Sequence, residues 1–198
     1  EINVVRVDVI VTDRDGNPVI DLEADDFEVF EDDTPQTIDS FRLVRLTGTP
    51  EPGAEPARPI RSEFDEEREA AREDVRLFAI FFDDYHVRFE NAVRVREALI
   101  NFISTQLGPL DMVSVMYPLT PLDAVQMTRN HDSIVAAIER FEGRKYEYEP
   151  RNLFEQQYAN YPTSVVERIR NEVSLDGLKA LVTHLGGLRE GRKALILV

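Results

Sequence analysis

The first 46 residues alternate apolar and polar positions in the manner of short β-strands. Residues 4–11 (VVRVDVIV) carry β-branched side chains at every second position, and the DRDGNPV segment that follows contains Asp-Gly and Asn-Pro pairs typical of turns. Further apolar positions flank a second predicted turn at 32–35: Phe27, Val29, Ile38, Phe41 and Val44. We therefore predict a small, sandwich-like β unit over residues 1–46.

The pattern is lost between residues 47 and 74. This stretch is rich in Pro, Glu and Ala and has few side chains to bury, so we predict a linker with a short charged helix near 66–72.

A different periodicity begins at residue 75. The run 75–82 (VRLFAIFF) is apolar almost throughout, as expected for a central strand covered on both faces. Apolar residues at three-and-four spacing predict a helix over 89–107. Residues 112–117 and 124–128 predict two further strands, which the short turn between them should make antiparallel neighbours.

The remainder alternates helix and strand around one irregular stretch. Residues 134–141 predict a helix, 144–162 break all periodicity, and the Ser164/Glu167 spacing of a capping box predicts a helix to about Leu185. ALILV at 194–198 then predicts a buried strand. Residues 75–198 therefore predict an α/β domain with an open, mostly parallel, doubly wound sheet, which we expect to continue beyond Val198.

Charge and composition exclude several classes of function. The net charge of −15, from 38 acidic and 23 basic residues, argues against a nucleic-acid partner, because binding to a phosphate backbone needs clustered cations. No apolar run approaches the roughly 20 residues that span a bilayer, so no membrane span is expected. The absence of cysteine excludes thiolate chemistry and disulfides.

Asp83 and Asp84 stand directly after the first central strand, at the strand end where open α/β sheets bind ligands. Phosphoacceptor receiver domains need a further Asp at the end of the third strand, where this chain has QMTRN. Haloacid-dehalogenase-like phosphatases need Asp-x-Asp-x-Thr, and DDYHV lacks its second Asp and its Thr. Both phosphoryl-transfer patterns are therefore incomplete.

Other chemistry has weaker support in the sequence. DRDGN begins like a calcium loop, but Ala24 stands where the twelfth-position Glu is required, so a plain turn is preferred. His86, His131 and His184 lack zinc-ligand spacing, and no Gly-x-Ser-x-Gly elbow occurs.

The order of segments resembles a von Willebrand factor type A domain. The resemblance runs over 75–198 and rests on LGPLDMVSVMYP, MTRNHDSIVAAIERFEG and GRKALILV. With the β segment VRVDVIVTDRDGNPVIDLEADDFEVFEDDTPQTIDSF in front, the chain is similar to the VWFA-related domain family common in acidobacteria.

This resemblance implies a metal-ion-dependent adhesion site, beginning at Asp83. Tyr85 and Val87 stand at its two serine positions, and the register starting at Asp84 places His86 and Arg88 there instead. Thr163 is the candidate for the threonine ligand, and the last aspartate would follow Val198. The resemblance thus implies a degenerate site in which Asp83, Asp84 and His86 could hold Mg²⁺ or Ca²⁺ weakly.

The irregular stretch 144–162 is rich in tyrosine, which suits protein interfaces because it combines a large stiff ring with a polar end. The candidates for partner contact are Tyr85, Tyr146, Tyr148, Tyr158 and Tyr161. The alternative is that these rings cover the edge of the sheet.

We therefore expect a non-enzymatic module for protein–protein interaction or adhesion, with a protein or cell-surface partner. The resembled family implies a secreted, periplasmic or cell-surface protein. The alternative is a metal-dependent hydrolase or phosphotransfer domain centred on Asp83 and Asp84.

Overall fold

A computed structural model describes residues 5, 7, 9–43, 48–50, 53, 55–188 and 192–198. The chain divides into two compact units, Glu1–Arg45 and Leu46–Val198. Each unit has its own secondary structure.

The first unit contains a tight β-hairpin. Strand β1 (Val29–Glu31) pairs antiparallel with β2 (Thr34–Gln36), and only two residues connect them. Those residues, Asp32 and Asp33, both have positive φ, 47° and 62°, as a type I′ turn requires. The predicted second turn is therefore present, but it is shorter than 32–35 because Pro35 lies within β2, opposite Phe30.

The DRDGN segment also forms a turn. The Asp13 side chain accepts hydrogen bonds from the backbone N–H groups of Asp15 and Asn17, at 2.9 and 2.8 Å. Thr12 and Pro18, on either side of the turn, form an isolated antiparallel β-bridge. The strand predicted over 4–11 is not formed at its described positions, where Val5 and Ile10 are exposed. Its residues 4, 6 and 8, and Val44, lie outside the described residues.

The second unit is built on a parallel three-stranded sheet. Its strands are β3 (Arg76–Phe81), β4 (Met112–Met116) and β5 (Arg192–Leu197), in the order β4-β3-β5. All three match predicted strands in position, with ends shifted by one or two residues. The prediction that the last strand is buried is wrong, because β5 lies at the edge of the sheet and its Leu195 and Leu197 are exposed. The strand predicted at 124–128 is reduced to one antiparallel bridge between Val113 and Thr128.

Helices cover both faces of this sheet. They are α1 (Glu63–Ala70), α2 (Phe89–Gln106), α3 (His131–Glu139), α4 (Leu153–Gln156) and α5 (Thr163–Gly187). Side chains of α2 and α3 join one core cluster with Ile80 and Phe82 of the central strand region. Ala70 and side chains of α5 join the other, with Leu77 and Phe81. The predicted α/β class with a parallel sheet is thus confirmed, and helices pack on both faces of its central strand.

Helix α5 begins differently from the prediction. Its N-cap is Pro162, whose carbonyl accepts from the N–H groups of Val165 and Val166, and Ser164 lies inside the first turn. The capping box predicted from Ser164 and Glu167 is therefore wrong. Within the described helices, none combines the length and apolar character that a membrane span needs.

The second half of the predicted linker belongs to the folded α/β unit. Ala70 of α1 is fully buried, and the buried Glu66 carboxylate accepts from the Met127 N–H at 2.9 Å. Glu69, also buried, forms an ion pair with Arg129 at 3.0 Å. The charged composition suggested solvation, but these carboxylates are buried because each has a donor inside the unit.

Candidate functional site

The candidate site lies where the carboxyl ends of the parallel strands meet. The chain passes from β3 to β4 on one side, and later returns to β5 on the other side of β3. The end of β3 is therefore a topological switch point, the place where open α/β sheets form ligand crevices. Asp83 and Asp84 follow β3 at this point, as predicted from the sequence.

Asp83 is tied to the neighbouring loop and to α5. One carboxylate oxygen accepts from the Ser174 hydroxyl at 2.8 Å, and the other lies 2.7 Å from His86 Nδ1. The second ring nitrogen of His86 lies 2.6 Å from Asn171 Oδ1. Both carboxylate oxygens of Asp83 thus already have protein partners.

Asp84 points to a different partner, the buried Arg144. The Arg144 Nε lies 3.1 Å from the Asp84 carboxylate, and the Arg144 backbone N–H donates to the Asp84 carbonyl at 2.8 Å. Burial raises the pKa of Asp84 to about 6. The charge of Arg144 lowers this pKa by less than burial raises it, and the neighbouring Asp83 charge raises it further.

Tyr85 lies between two arginines. It is only 1% exposed, and the guanidinium carbons of Arg144 and Arg170 lie 4.8 and 4.7 Å from its ring centroid. Its hydroxyl donates to Glu155 at 2.8 Å, and burial together with this bond raises the pKa of Tyr85. The position to which the predicted resemblance assigns a serine ligand therefore holds a buried aromatic ring.

Glu155 of α4 links these groups. Its carboxylate forms an ion pair with Arg144 and accepts from the Arg151 backbone N–H at 2.8 Å, in addition to the Tyr85 hydroxyl. Burial would raise the pKa of Glu155, but these bonds outweigh it and lower the pKa. We call Asp84, Tyr85, Arg144, Glu155 and Arg170 the arginine–tyrosine cluster.

Arg170 of α5 is the most deeply placed cation of this cluster. It is 1% exposed and stacks on Tyr148 as well as Tyr85, with 5.0 Å to the Tyr148 ring centroid. Its Nη2 donates to the Glu147 carbonyl at 2.7 Å. Among the described residues its Nε and Nη1 have no hydrogen-bond partner, so the two aromatic faces provide much of its stabilisation.

The structure divides the predicted tyrosine contacts. Tyr85 and Tyr158 are buried, so their prediction as partner contacts is wrong: both rings pack inside the unit. Tyr148 is half-buried, and its bond to Glu167 raises the pKa of its hydroxyl. Tyr146 and Tyr161 are exposed. Within the segment 144–162, some tyrosine rings are thus buried against the folded unit and others are exposed to solvent.

The predicted cation ligands do not converge on a common point. Asp83 and His86 contact each other, whereas Asp84 is paired with Arg144, whose charge opposes cation binding. In the part of the chain that the structure describes, no group of three or more His, Cys, Asp or Glu side chains could hold a metal ion. Thr163 lies exposed at the start of α5. A Mg²⁺ or Ca²⁺ site of Asp83, Asp84 and His86 therefore has no support in the geometry.

The other two histidines lie away from this site. His131 Nε2 lies 2.9 Å from the Asp111 carbonyl, and His184 lies 3.8 Å from the Glu66 carboxylate. Asp111 directly precedes β4 and pairs with Arg76, the first residue of β3, at the amino-terminal end of these strands, opposite the candidate site.

Sequence reasoning missed the residues that complete the site: Arg144, Glu155, Arg170, Asn171 and Ser174. A signal was present in α5, where Glu167, Arg170, Asn171 and Ser174 share one helix face by their three-and-four spacing. Polar residues on a face that the sheet should cover indicate a buried polar partner. No such periodicity marks Arg144 or Glu155.

Comparison of the chain with protein-family models, with curated proteins and with solved structures gives no match. Function is therefore inferred from the residues of the site itself.

Proposed function

We propose that the α/β unit is a non-enzymatic protein-interaction module of the type A kind, with a degenerate adhesion site and a protein or cell-surface partner. The observation that carries the proposal is the arginine–tyrosine cluster. In this cluster Arg144 pairs with Asp84, the buried Tyr85 ring packs beside Arg144 after the end of β3, and the ion pair between Arg144 and Glu155 holds the segment 144–162.

The same segment presents apolar surface outward. Leu153 is 79% exposed and Tyr161 55% exposed, and Tyr146 and Phe154 are also exposed. Large apolar and aromatic side chains held on a buried framework are typical of the centres of protein interfaces, because little conformational entropy is lost on binding. An extracellular or periplasmic location remains part of the proposal through the type A resemblance.

Site-specific photocrosslinking tests this function. A benzoylphenylalanine at Tyr161 or at Leu153 should give a crosslinked product of defined mass in an extract of the source organism. The same group at Phe64, an exposed ring on α1, serves as the matched control and should not. Identical products from all three positions, or none from the first two, would contradict the proposal.

A second candidate is the metal-dependent hydrolase or phosphotransfer domain. The contact between Asp83 and His86 favours it, since a carboxylate-oriented imidazole can transfer protons. The far nitrogen of His86 faces Asn171, however, and Asp84 faces Arg144. Calorimetric titration with Mg²⁺, Mn²⁺ and Ca²⁺ distinguishes the two: we expect no heat, whereas heat that Asp83→Asn removes would favour the enzyme.

A further inference from the structure

Two cations flank one exposed tyrosine beside the strand-end site. The guanidinium carbon of Arg88 lies 5.5 Å from the Tyr146 ring centroid, and the ammonium of Lys145 lies 5.4 Å from it. Tyr146 is 60% exposed. We call Arg88, Lys145 and Tyr146 the basic–aromatic patch.

These cations have no acidic partner among the described residues, although the chain carries a net charge of −15. Among the described residues, neither Arg88 nor Lys145 lies within ion-pair distance of a carboxylate. The nearby Glu142 and Glu147 are both paired with Arg151, at 3.3 and 3.1 Å. Contact with an exposed ring is a weak interaction that does not neutralise a charge, so both charges remain available.

The backbone holds the patch in a fixed position. The Lys145 N–H donates to the Val87 carbonyl at 2.9 Å, which joins the two chain segments that carry the cations. A Cβ on Gly143 would lie 2.5 Å from that carbonyl oxygen and 2.8 Å from the one of Arg88, so the approach of the two segments requires glycine.

Tyr146 itself adopts a strained conformation. Its φ is 72°, in the left-handed region that aromatic residues rarely occupy, so the conformation is unfavourable for this residue. An exposed ring contributes little burial to offset this cost. Strain of this kind is concentrated at ligand contacts, and here it accompanies a ring that contacts two cations.

We propose that the basic–aromatic patch docks an acidic peptide segment of the partner protein, with carboxylates on Arg88 and Lys145 and an apolar or aromatic side chain against Tyr146. This rests on the proposed interaction function and names the chemistry of its partner. Two cations match a pair of carboxylates, whereas a phosphate backbone needs a longer row of clustered cations than this patch offers.

Fluorescence anisotropy with a labelled peptide tests the proposal. The probe is a fluorescein-labelled decamer of glutamate, the control peptide is the glutamine decamer, and both are titrated at about 50 and about 300 mM NaCl. We expect only the glutamate peptide to bind, with binding weakened by salt. The double variant Arg88→Gln/Lys145→Gln should weaken binding roughly tenfold, in line with about 0.7 kcal/mol per exposed ion pair.

The matched control variant is Arg94→Gln/Arg168→Gln, which removes the same charge from two other exposed positions. It should bind the glutamate peptide within about twofold of the parent, beyond a small long-range effect. Equal weakening in both double variants would overturn the proposal, because net charge alone would then explain binding. No binding of the glutamate peptide, or tighter binding of a labelled oligodeoxythymidine, would also overturn it.

The failure of this inference is distinguishable from that of the proposed function. Crosslinking at Leu153 and Tyr161 without binding of the glutamate peptide would leave the interaction module intact and remove only its acidic partner chemistry. Loss of the crosslinks would remove the interaction module itself.

Discussion

The substitution Glu155→Gln tests whether the arginine–tyrosine cluster holds the strand-end face together. The side chains of Glu155 and Arg144 are 3% and 4% exposed, so removal of the carboxylate charge leaves a buried guanidinium without its main counter-charge. Breaking a buried ion pair from one side costs 3–5 kcal/mol, and the retained amide oxygen places this case near about 3 kcal/mol. For a chain of this size we expect a fall in Tm of roughly 6–12 °C.

Circular dichroism in the far ultraviolet is the suitable assay, because all described α-helices lie in the second unit and report its unfolding. Glu142→Gln is the control: its side chain is 50% exposed and also pairs with an arginine, so its effect should stay within about 0.5 kcal/mol. Tyr85→Phe removes one hydrogen bond to the same carboxylate, and its effect should not add to that of Glu155→Gln. A loss below about 1 kcal/mol for Glu155→Gln would refute this account of the cluster.

Three further outcomes follow from single positions. The pKa of Asp84 is raised from 3.8 to about 6 in the folded state, so its ionisation costs about 3 kcal/mol of stability as pH rises from about 4 to above 6. In denaturant titrations, the free energy of unfolding of Asp84→Asn should therefore increase relative to that of the parent over this pH interval. A difference between the two proteins that does not depend on pH would contradict this. Gly177→Ala should lower stability in thermal unfolding by about 1–3 kcal/mol, because the new Cβ would lie 2.9 Å from the Pro118 carbonyl oxygen. This clash should outweigh the better helix propensity of alanine. A more stable variant would contradict the close contact between α5 and Pro118. Tyr146→Gly should raise stability by about 1 kcal/mol, because glycine adopts a positive φ without strain. A clear loss of stability would mean that the Tyr146 ring makes stronger contacts than those to the two cations.

Periodicity predicted the fold of the second unit well. The run 75–82 could be assigned to a central strand and residues 89–107 to a helix because burial imposes the pattern directly on the apolar positions. The short charged helix predicted near 66–72 is present as α1, but the pattern did not predict the burial of Glu66 and Glu69, which depends on donors on distant segments. Their partners Met127 and Arg129 lie 61 and 60 positions later in the chain, so no local sequence pattern identifies them.

The site was predictable in place but not in composition. The end of β3 follows from the strand order, and Asp83 and Asp84 are visible there in the sequence. Whether Tyr85 points to solvent or inward depends on Arg144 and Arg170, which approach it from two other segments. A tyrosine on a loop looks the same in sequence in both situations.

The order of strands in the sheet also constrains how the second unit is made. β3 pairs with β4, which follows after one helix, but its other neighbour is β5, with Arg76 opposite Arg192, 116 positions later in the chain (192 minus 76). Such distant parallel pairing is slow, because the entropy of closing the intervening loop is lost before any contact forms. During synthesis the β3–β4 pair with α2 and α3 can assemble first, with one edge of β3 left open until β5 emerges. Over the interval between β3 and β5, the unpaired backbone groups of this strand edge can pair with other chains, which exposes the growing chain to aggregation.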